Sequence, residues 1–291
     1  MKYEGAIYRP PSEAYSLILQ VTVGCSHNKC TFCGSFKDKK FHVKSWEEIK
    51  EDVEEAKQYS RYVKKVFLAD GDALILPMKR LVPIMELIKG SFPKLERIGI
   101  YGNAKSILKK SVDELKQLKE LGLGIVYLGV ESGDQVTLDR VNKGTTLDKV
   151  AEASRRVKEA GITLSVTVLL GLGGVERSHI HAEETGKFLS RIDPEYIGAL
   201  SIIVVPGTAL ADAIDKGTFE VPDPYMLLEE LAIMIKNTNV THAFFASNHA
   251  SNYLPVKVWL PEEKAKALKA ITHVLTQRDP SLLRPEFLRA L

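Results

Sequence analysis

Six times between Ser16 and Val205, an apolar run suited to a strand gives way to a segment of helical character, and this alternation restricts the fold more than anything else in the chain. The runs are Ser16–Val23, Val63–Ala69, Ile98–Tyr101, Ile125–Val130, Ile162–Leu170 and Tyr196–Val205. Between them, Ser45 with Glu48 and Ser111 with Glu114 have capping-box spacing. Trp46, Ile49, Val53 and Ala56, then Leu81, Ile84, Met85 and Ile88, recur at helical intervals. Leu147–Ala160 is a long helical pattern stopped by Gly161, and Ala182–Arg191 reads as a polar helix. Strand–helix units in series predict an α/β fold with a parallel sheet and right-handed crossovers, open or closed into a barrel. Residues 1–15, with Tyr8-Arg9-Pro10-Pro11, read as an N-terminal arm, and residues 16–221 as the strand–helix body. Residues 222–291 read as a mainly helical C-terminal extension, with helices at Tyr225–Lys236 and around Leu268, Ile271 and Leu275, and the short apolar Ala243-Phe244-Phe245 between them.

Composition narrows the function classes. The chain has 291 residues, 45% of them hydrophobic, which is enough for a sizeable core and excludes disorder as a description. Forty basic residues against 37 acidic ones leave a net charge of +3, too balanced to make nucleic acid an expected partner. No apolar run has the length of a membrane span, and the start Met1-Lys2-Tyr3-Glu4-Gly5 lacks a signal core, so a cytoplasmic location is expected.

Only three cysteines occur, all within nine residues: Cys25, Cys30 and Cys33, directly after the first apolar run. An odd, clustered set in a reducing compartment points to metal rather than a disulfide. Three thiolates on one loop can hold three irons of a [4Fe–4S] cube and leave the fourth open for chemistry. The structural alternative is a Cys3His zinc site completed by His27 or His42, which would make the chain a non-catalytic binding module.

The string Gly24-Cys25-x4-Cys30-Thr31-Phe32-Cys33 resembles the cluster loop of the radical S-adenosylmethionine superfamily, with Phe32 as the aromatic before the third cysteine. The usual spacing there is C-x3-C-x2-C, so this loop carries one extra residue in its first half. The resemblance covers roughly residues 15–210 and implies a partial (βα)6, TIM-like barrel closed by the C-terminal extension. It extends to Asp70-Gly71-Asp72-Ala73, similar to the Gly-Gly-Glu element that holds the amino group of the methionine moiety. Gly129-Val130-Glu131-Ser132-Gly133 and Arg140-Val141-Asn142-Lys143-Gly144 resemble a pattern of the Elongator-like, methylthiotransferase and coproporphyrinogen-dehydrogenase-like branches. There the residue at the Glu131 position contacts the cofactor and the one at the Lys143 position meets its carboxylate. Asn103, which closes the third strand, and Gly171, in Gly171-Leu172-Gly173-Gly174, join them as expected cofactor contacts.

What the resemblance implies is an enzyme with a [4Fe–4S] cluster and S-adenosyl-L-methionine as cofactors. Reductive cleavage of the sulfonium would give a 5′-deoxyadenosyl radical that abstracts hydrogen from a small or medium-sized substrate, with an electron donor such as ferredoxin or flavodoxin. Further cysteines and appended RNA-binding, acetyltransferase or cobalamin domains are not evident, which argues against sulfur insertion, tRNA modification and cobalamin-dependent methylation. A haem- or porphyrin-handling member of the same branch is the other enzyme reading. Ser247-Asn248-His249-Ala250-Ser251-Asn252-Tyr253 packs six hydrogen-bonding side chains into seven residues. It reads either as a polar surface loop or as a pocket lining in which His249 and Tyr253 face the reacting centre. Asp-Gly-Asp likewise is ordinary turn chemistry as well as a cofactor element.

Overall fold

The computed structural model describes residues 1–290, which fall into two compact units. The first comprises residues 1–28, 35–128 and 152–164; the second comprises residues 29–34, 129–151 and 165 onward.

Strand β1 (Leu17–Gln20) is followed by β2 (Thr22–Val23), β3 (His42–Val43), α1 (Trp46–Ala56), β4 (Lys65–Ala69) and α2 (Met78–Ser91). Next come β5 (Arg97–Gly102), α3 (Ala104–Leu108), α4 (Val112–Glu120) and β6 (Leu123–Glu131). In the first unit β1, β4, β5 and the first six residues of β6 pair in parallel, in that order, with Leu19 beside Leu68 and Ile100 beside Val126. Such strands read as continuous apolar runs because both faces are covered, and Val66–Ala69 are all fully buried. Ile18, Phe67, Ala69, Ile125 and Tyr127 form the core there, with Ile7 of the N-terminal arm packed on them. The arm is tied down further by Tyr3, whose hydroxyl donates to Ile18 O at 2.9 Å, and by buried Glu13, which accepts from Arg97 Nη2 at 2.7 Å. Both expected capping boxes form, at Ser45–Glu48 ahead of α1 and Ser111–Glu114 ahead of α4.

One run expected as a single strand divides. Ser16–Val23 stays in the parallel ladder only to Gln20; Thr22 and Val23 turn away to pair antiparallel with Val43 and His42. That small hairpin closes the base of the loop that carries the cysteines.

The chain continues through α5 (Gln135–Arg140), α6 (Leu147–Glu159), β7 (Thr163–Leu170), α7 (Gly174–Ile192), β8 (Tyr196–Ser201), α8 (Ala209–Asp215) and α9 (Pro224–Asn237). It ends with β9 (Ala243–Ala246), β10 (Lys257–Leu260) and α10 (Lys264–Gln277). In the second unit β7, β8 and β9 are parallel neighbours, and β10 closes the edge antiparallel to β9. Burial alternates strictly along β7, with Leu164, Val166, Val168 and Leu170 inward. The C-terminal extension is mainly helical, yet it also adds two strands to the sheet. The last run of the body ends at Ser201 rather than Val205, and α7 starts eight residues earlier than its periodicity suggested, because solvent-facing Glu176 and His179 mask the pattern. No helix among the described residues is long and apolar enough to cross a membrane.

Candidate functional site

In the first unit the cysteine loop leaves β2 at Gly24, and its departure is fixed by Asp70 at the end of β4. Asp70 Oδ2 accepts from the Gly24 amide at 3.0 Å and from Lys39 Nζ at 2.8 Å, with all of these atoms buried. The other oxygen, Asp70 Oδ1, is buried without a hydrogen-bond partner. Next to it, a Cβ on Gly71 would lie 2.7 Å from the Phe36 ring and 3.1 Å from Cys25 Cβ, so the bare backbone there is what lets the strand end approach the first cysteine.

Asp72 is fully buried and accepts from Ser106 Oγ at 2.6 Å, Asn103 Nδ2 at 2.8 Å, the Asn103 amide at 3.3 Å and Ser26 Oγ. Burial raises its pKa to about 6, while the hydrogen bonds from Ser106 and Ser26 oppose that rise. Asn103 in turn caps α3 through Ser106 N at 2.9 Å. Asp72 and Asn103, which the sequence offers as separate contacts, are thus one hydrogen-bonded unit reaching Ser26, the neighbour of Cys25.

In the second unit the Cys30–Cys33 segment is held by its backbone. The Thr31 amide donates to Val141 O and the Leu210 amide donates to Thr31 O, both at 3.0 Å, and Asn142 Nδ2 donates to Lys29 O at 3.2 Å. Phe32 packs on the cluster of Val141, Leu172, Ile202 and Leu210. Both cysteines of this segment, like Cys25, are half-buried.

At the end of β6, Glu131 takes a left-handed backbone with φ of 66°. Its Oε1 accepts from Lys143 Nζ at 2.7 Å, with both side chains largely buried. The structure therefore brings Glu131 and Lys143 together over Gly129.

A buried cluster that sequence reasoning missed lies behind Gly171. Glu230 of α9 accepts from the Gly171 amide at 2.6 Å through Oε2, and its Oε1 is buried with no hydrogen-bond partner. His181 of α7 sits 3.9 Å from Glu230 Oε2; its Nδ1 bonds Ser132 Oγ at 2.8 Å and its Nε2 lies 3.2 Å from Leu169 O. Burial raises the Glu230 pKa to about 7 and lowers that of His181 to about 4, so at neutral pH the imidazole is neutral and the carboxyl keeps its proton about half the time. In the sequence these are a lone histidine and a lone glutamate in helical runs, with nothing to mark them.

Ser247–Tyr253 is anchored to β8 and to the chain end. Asn252 Nδ2 donates to Ala199 O and Ser201 Oγ donates to Asn252 Oδ1, both at 2.8 Å, while Ser201 N donates to Ser251 Oγ at 3.2 Å. His249 is half-buried. The Tyr253 hydroxyl donates to Glu286 and accepts from Arg289 Nη1 at 2.6 Å.

Comparison with known proteins decides the family. The model of the radical SAM superfamily matches residues 19–183, more than half of the chain and all three cysteines. The chain belongs to the radical SAM superfamily. It is 25% identical over 244 residues to an uncharacterized protein of Methanocaldococcus jannaschii, covering 75% of each chain. It is 23% identical over 192 residues to the heme chaperone HemW of Bacillus subtilis, covering 65% of this chain but only 50% of that one. The fold matches that of the Escherichia coli coproporphyrinogen III oxidase HemN with a TM-score of 0.56 at 17% identity, over 76% of this chain and 51% of HemN. This radical SAM protein therefore has the α/β fold expected from its strand–helix units, in the TIM-like form that the resemblance implied, while it spans only about half the length of the last two relatives.

Radical SAM membership implies a [4Fe–4S] cluster and adenosylmethionine, and the donors present suit them. Soft thiolates are the ligands that iron–sulfur clusters take. His42, one of the two histidines that could complete a zinc site, faces Glu4 Oε1 at 3.3 Å and Lys40 O at 3.1 Å. The orphaned oxygen of Asp70, buried beside the bare backbone of Gly71 and Cys25, is an acceptor suited to an amino group.

Proposed function

We propose that this chain is a radical SAM enzyme in which Cys25, Cys30 and Cys33 hold the [4Fe–4S] cluster and the adenosylmethionine is received by Asp70–Asp72, Asn103, Glu131, Lys143 and Gly171. The observation that carries the reading is the cysteine loop, inside the family match and anchored at one end by Asp70 on the Gly24 amide and at the other by Val141 and Leu210 on Thr31. When bound, the cluster and adenosylmethionine supply a one-electron cleavage that generates a 5′-deoxyadenosyl radical for hydrogen abstraction from a small or medium-sized substrate.

The residues of the chain bind and orient. Asp70 Oδ1 offers an acceptor to the methionine amino group, for which a buried, otherwise unsatisfied oxygen is a strong partner. Lys143 offers a cation to the carboxylate, exchanging its bond to Glu131 for one to the ligand. The Glu131 carboxylate so released is an acceptor for a ribose hydroxyl. Phe32, seated on its apolar cluster, would limit the access of water to the adjoining third cysteine. His249 and Tyr253 belong to the substrate side, and ferredoxin or flavodoxin fits as the electron donor.

The test is anaerobic reconstitution followed by reduction with excess adenosylmethionine. Formation of 5′-deoxyadenosine supports the reading; a fully loaded, reducible protein that forms none sinks it. Similarity to the heme chaperone HemW and to HemN favours a second reading, a haem- or porphyrin-handling protein of the same family. Stoichiometric binding of haem, with no 5′-deoxyadenosine formed, would select it.

A further inference from the structure

The last described residues of the chain grip the Ser247–Tyr253 loop almost entirely by its backbone. Arg284 Nη1 donates to His249 O at 2.8 Å and to Asn252 O at 2.7 Å, and its own amide donates to Tyr253 O at 2.8 Å. Arg289 donates through Nε to Ser251 O at 2.7 Å and through Nη2 to Ile202 O at 2.8 Å. Its guanidinium also stacks over the Tyr253 ring, 4.1 Å from the centroid. Four carbonyls between His249 and Tyr253 are thus paired by two residues far off in sequence. A loop between two strands has no ladder to satisfy those carbonyls, and a planar guanidinium can serve several at once. Arg289 is only 7% exposed although its neighbours Phe287 and Leu288 stand in solvent, as befits an anchor rather than a surface charge.

This grip has a chemical consequence at His249. The Ser251 backbone amide donates to His249 Nδ1 at 3.1 Å, and Ser251 Oγ lies 3.0 Å from the same nitrogen. Ser251 Oγ accepts from Ser201 N and keeps its own hydrogen free to turn toward Nδ1. A backbone N–H can only donate, so Nδ1 carries no proton, and the neutral ring holds its proton on Nε2. Nε2 has no protein partner among the described residues. Protonation of Nδ1 would break the hydrogen bond from the Ser251 amide and force the Ser251 hydroxyl to turn, beside the Arg284 guanidinium; burial and that cation hold the imidazole below its ordinary pKa. Arg289, Glu286 and Tyr253 satisfy one another and leave His249 to Arg284.

We propose that Arg284 and Arg289 are positioning residues that set the His249–Tyr253 loop by its carbonyls, and that His249 is thereby presented as an Nε2–H donor for an acceptor oxygen of the substrate, a carboxylate or carbonyl. The proposal deepens the reading of this loop as substrate-facing and rests on it. It removes proton abstraction from the roles open to His249 and hydroxyl donation to substrate from those open to Tyr253.

Nitrogen NMR of the oxidised, cluster-loaded protein labelled at its seven histidines tests this without turnover. The resonances lost in His249→Asn identify the residue. The proposal expects Nδ1 to resonate as an unprotonated acceptor and Nε2 as a protonated donor, and His249 to titrate below the exposed histidines. Arg284→Ala should raise its titration and mix the tautomers, with Arg284→Lys between the two; Lys keeps the charge but not the fork, and guards against a variant that does not fold. Acetate, as a carboxylate probe, should shift the Nε2 resonance saturably, and methylammonium at equal ionic strength should not. A protonated Nδ1, indifference to both Arg284 variants, or no acetate response overturns the proposal. Absence of 5′-deoxyadenosine with these signals intact would instead indict the enzyme reading and leave the loop geometry standing.

Discussion

Lys143 Nζ donates to Glu131 Oε1 at 2.7 Å directly above Gly129, where a Cβ would lie 2.2 Å from the carboxylate and 3.0 Å from the ammonium. Both atoms are the ends of flexible side chains, so Gly129→Ala should leave the fold within about 1 kcal/mol of wild type while prying the pair apart. If these two groups receive adenosylmethionine, the added methyl displaces both from where they meet it, and the variant should bind it roughly tenfold more weakly, about 1.4 kcal/mol. Isothermal titration of the reconstituted protein measures this, and unchanged affinity would detach the pair from the cofactor.

Glu230 and His181 should oppose one another in pH dependence. With its folded pKa raised to about 7, Glu230 binds more protons in the native state, so its contribution to stability falls as pH rises from 4.5 toward 7. With its folded pKa lowered to about 4, His181 binds fewer protons in the native state, so its contribution rises as pH goes from 4 toward 6.5. The two slopes largely cancel in the wild type. Glu230→Gln keeps an acceptor for the Gly171 amide and removes one slope, and its stability should then climb by about 3 kcal/mol relative to wild type between pH 4.5 and 7. Urea melts at a series of pH values read this directly, and a flat difference would contradict it.

Lys39 and Asp70 are both buried, so removing one partner strands the other. Lys39→Met should destabilise the protein by about 3–5 kcal/mol, and adding Asp70→Asn should recover much of that loss. Denaturant melts of the two single variants and the double variant form the cycle.

Phe32→Ala removes a half-buried ring from the cluster around Val141 and Leu172, at a cost of roughly 2 kcal/mol, about half that of a fully buried phenylalanine. The exposed third cysteine should also let the cluster bleach faster in air, followed by the decay of visible absorbance.

The periodic parts of this fold were legible because each strand is buried on a face that its alternation or apolar run announces. Both capping boxes announced themselves through serine and glutamate three apart. The hairpin of Val23 with His42 was not legible, since two-residue strands carry no period; Ala243-Phe244-Phe245 showed as a short apolar stretch, but Lys257–Leu260, which pairs with it, is too short to announce a period. At the site, motifs brought attention to Asp72, Asn103, Glu131 and Lys143, but not to which of them touch. Asp72 with Asn103 and Glu131 with Lys143 are contacts across 31 and 12 residues, fixed by strand ends. Glu230, His181, Arg284 and Arg289 left no trace, because a buried acid on an apolar helix and an arginine in a tail look the same in sequence as solvated ones.

The central claim is that the Cys25–Cys33 loop carries an iron–sulfur cluster that acts on adenosylmethionine. Its most direct measurement pairs iron and sulfide content with 5′-deoxyadenosine formed after reduction, in wild type and in Cys30→Ser. The account predicts about four irons and four sulfides per wild-type chain with nucleoside formed, and loss of both in a Cys30→Ser protein that still folds. A wild-type protein that binds zinc in place of iron, or a Cys30→Ser variant that forms the nucleoside as well as wild type, would contradict it.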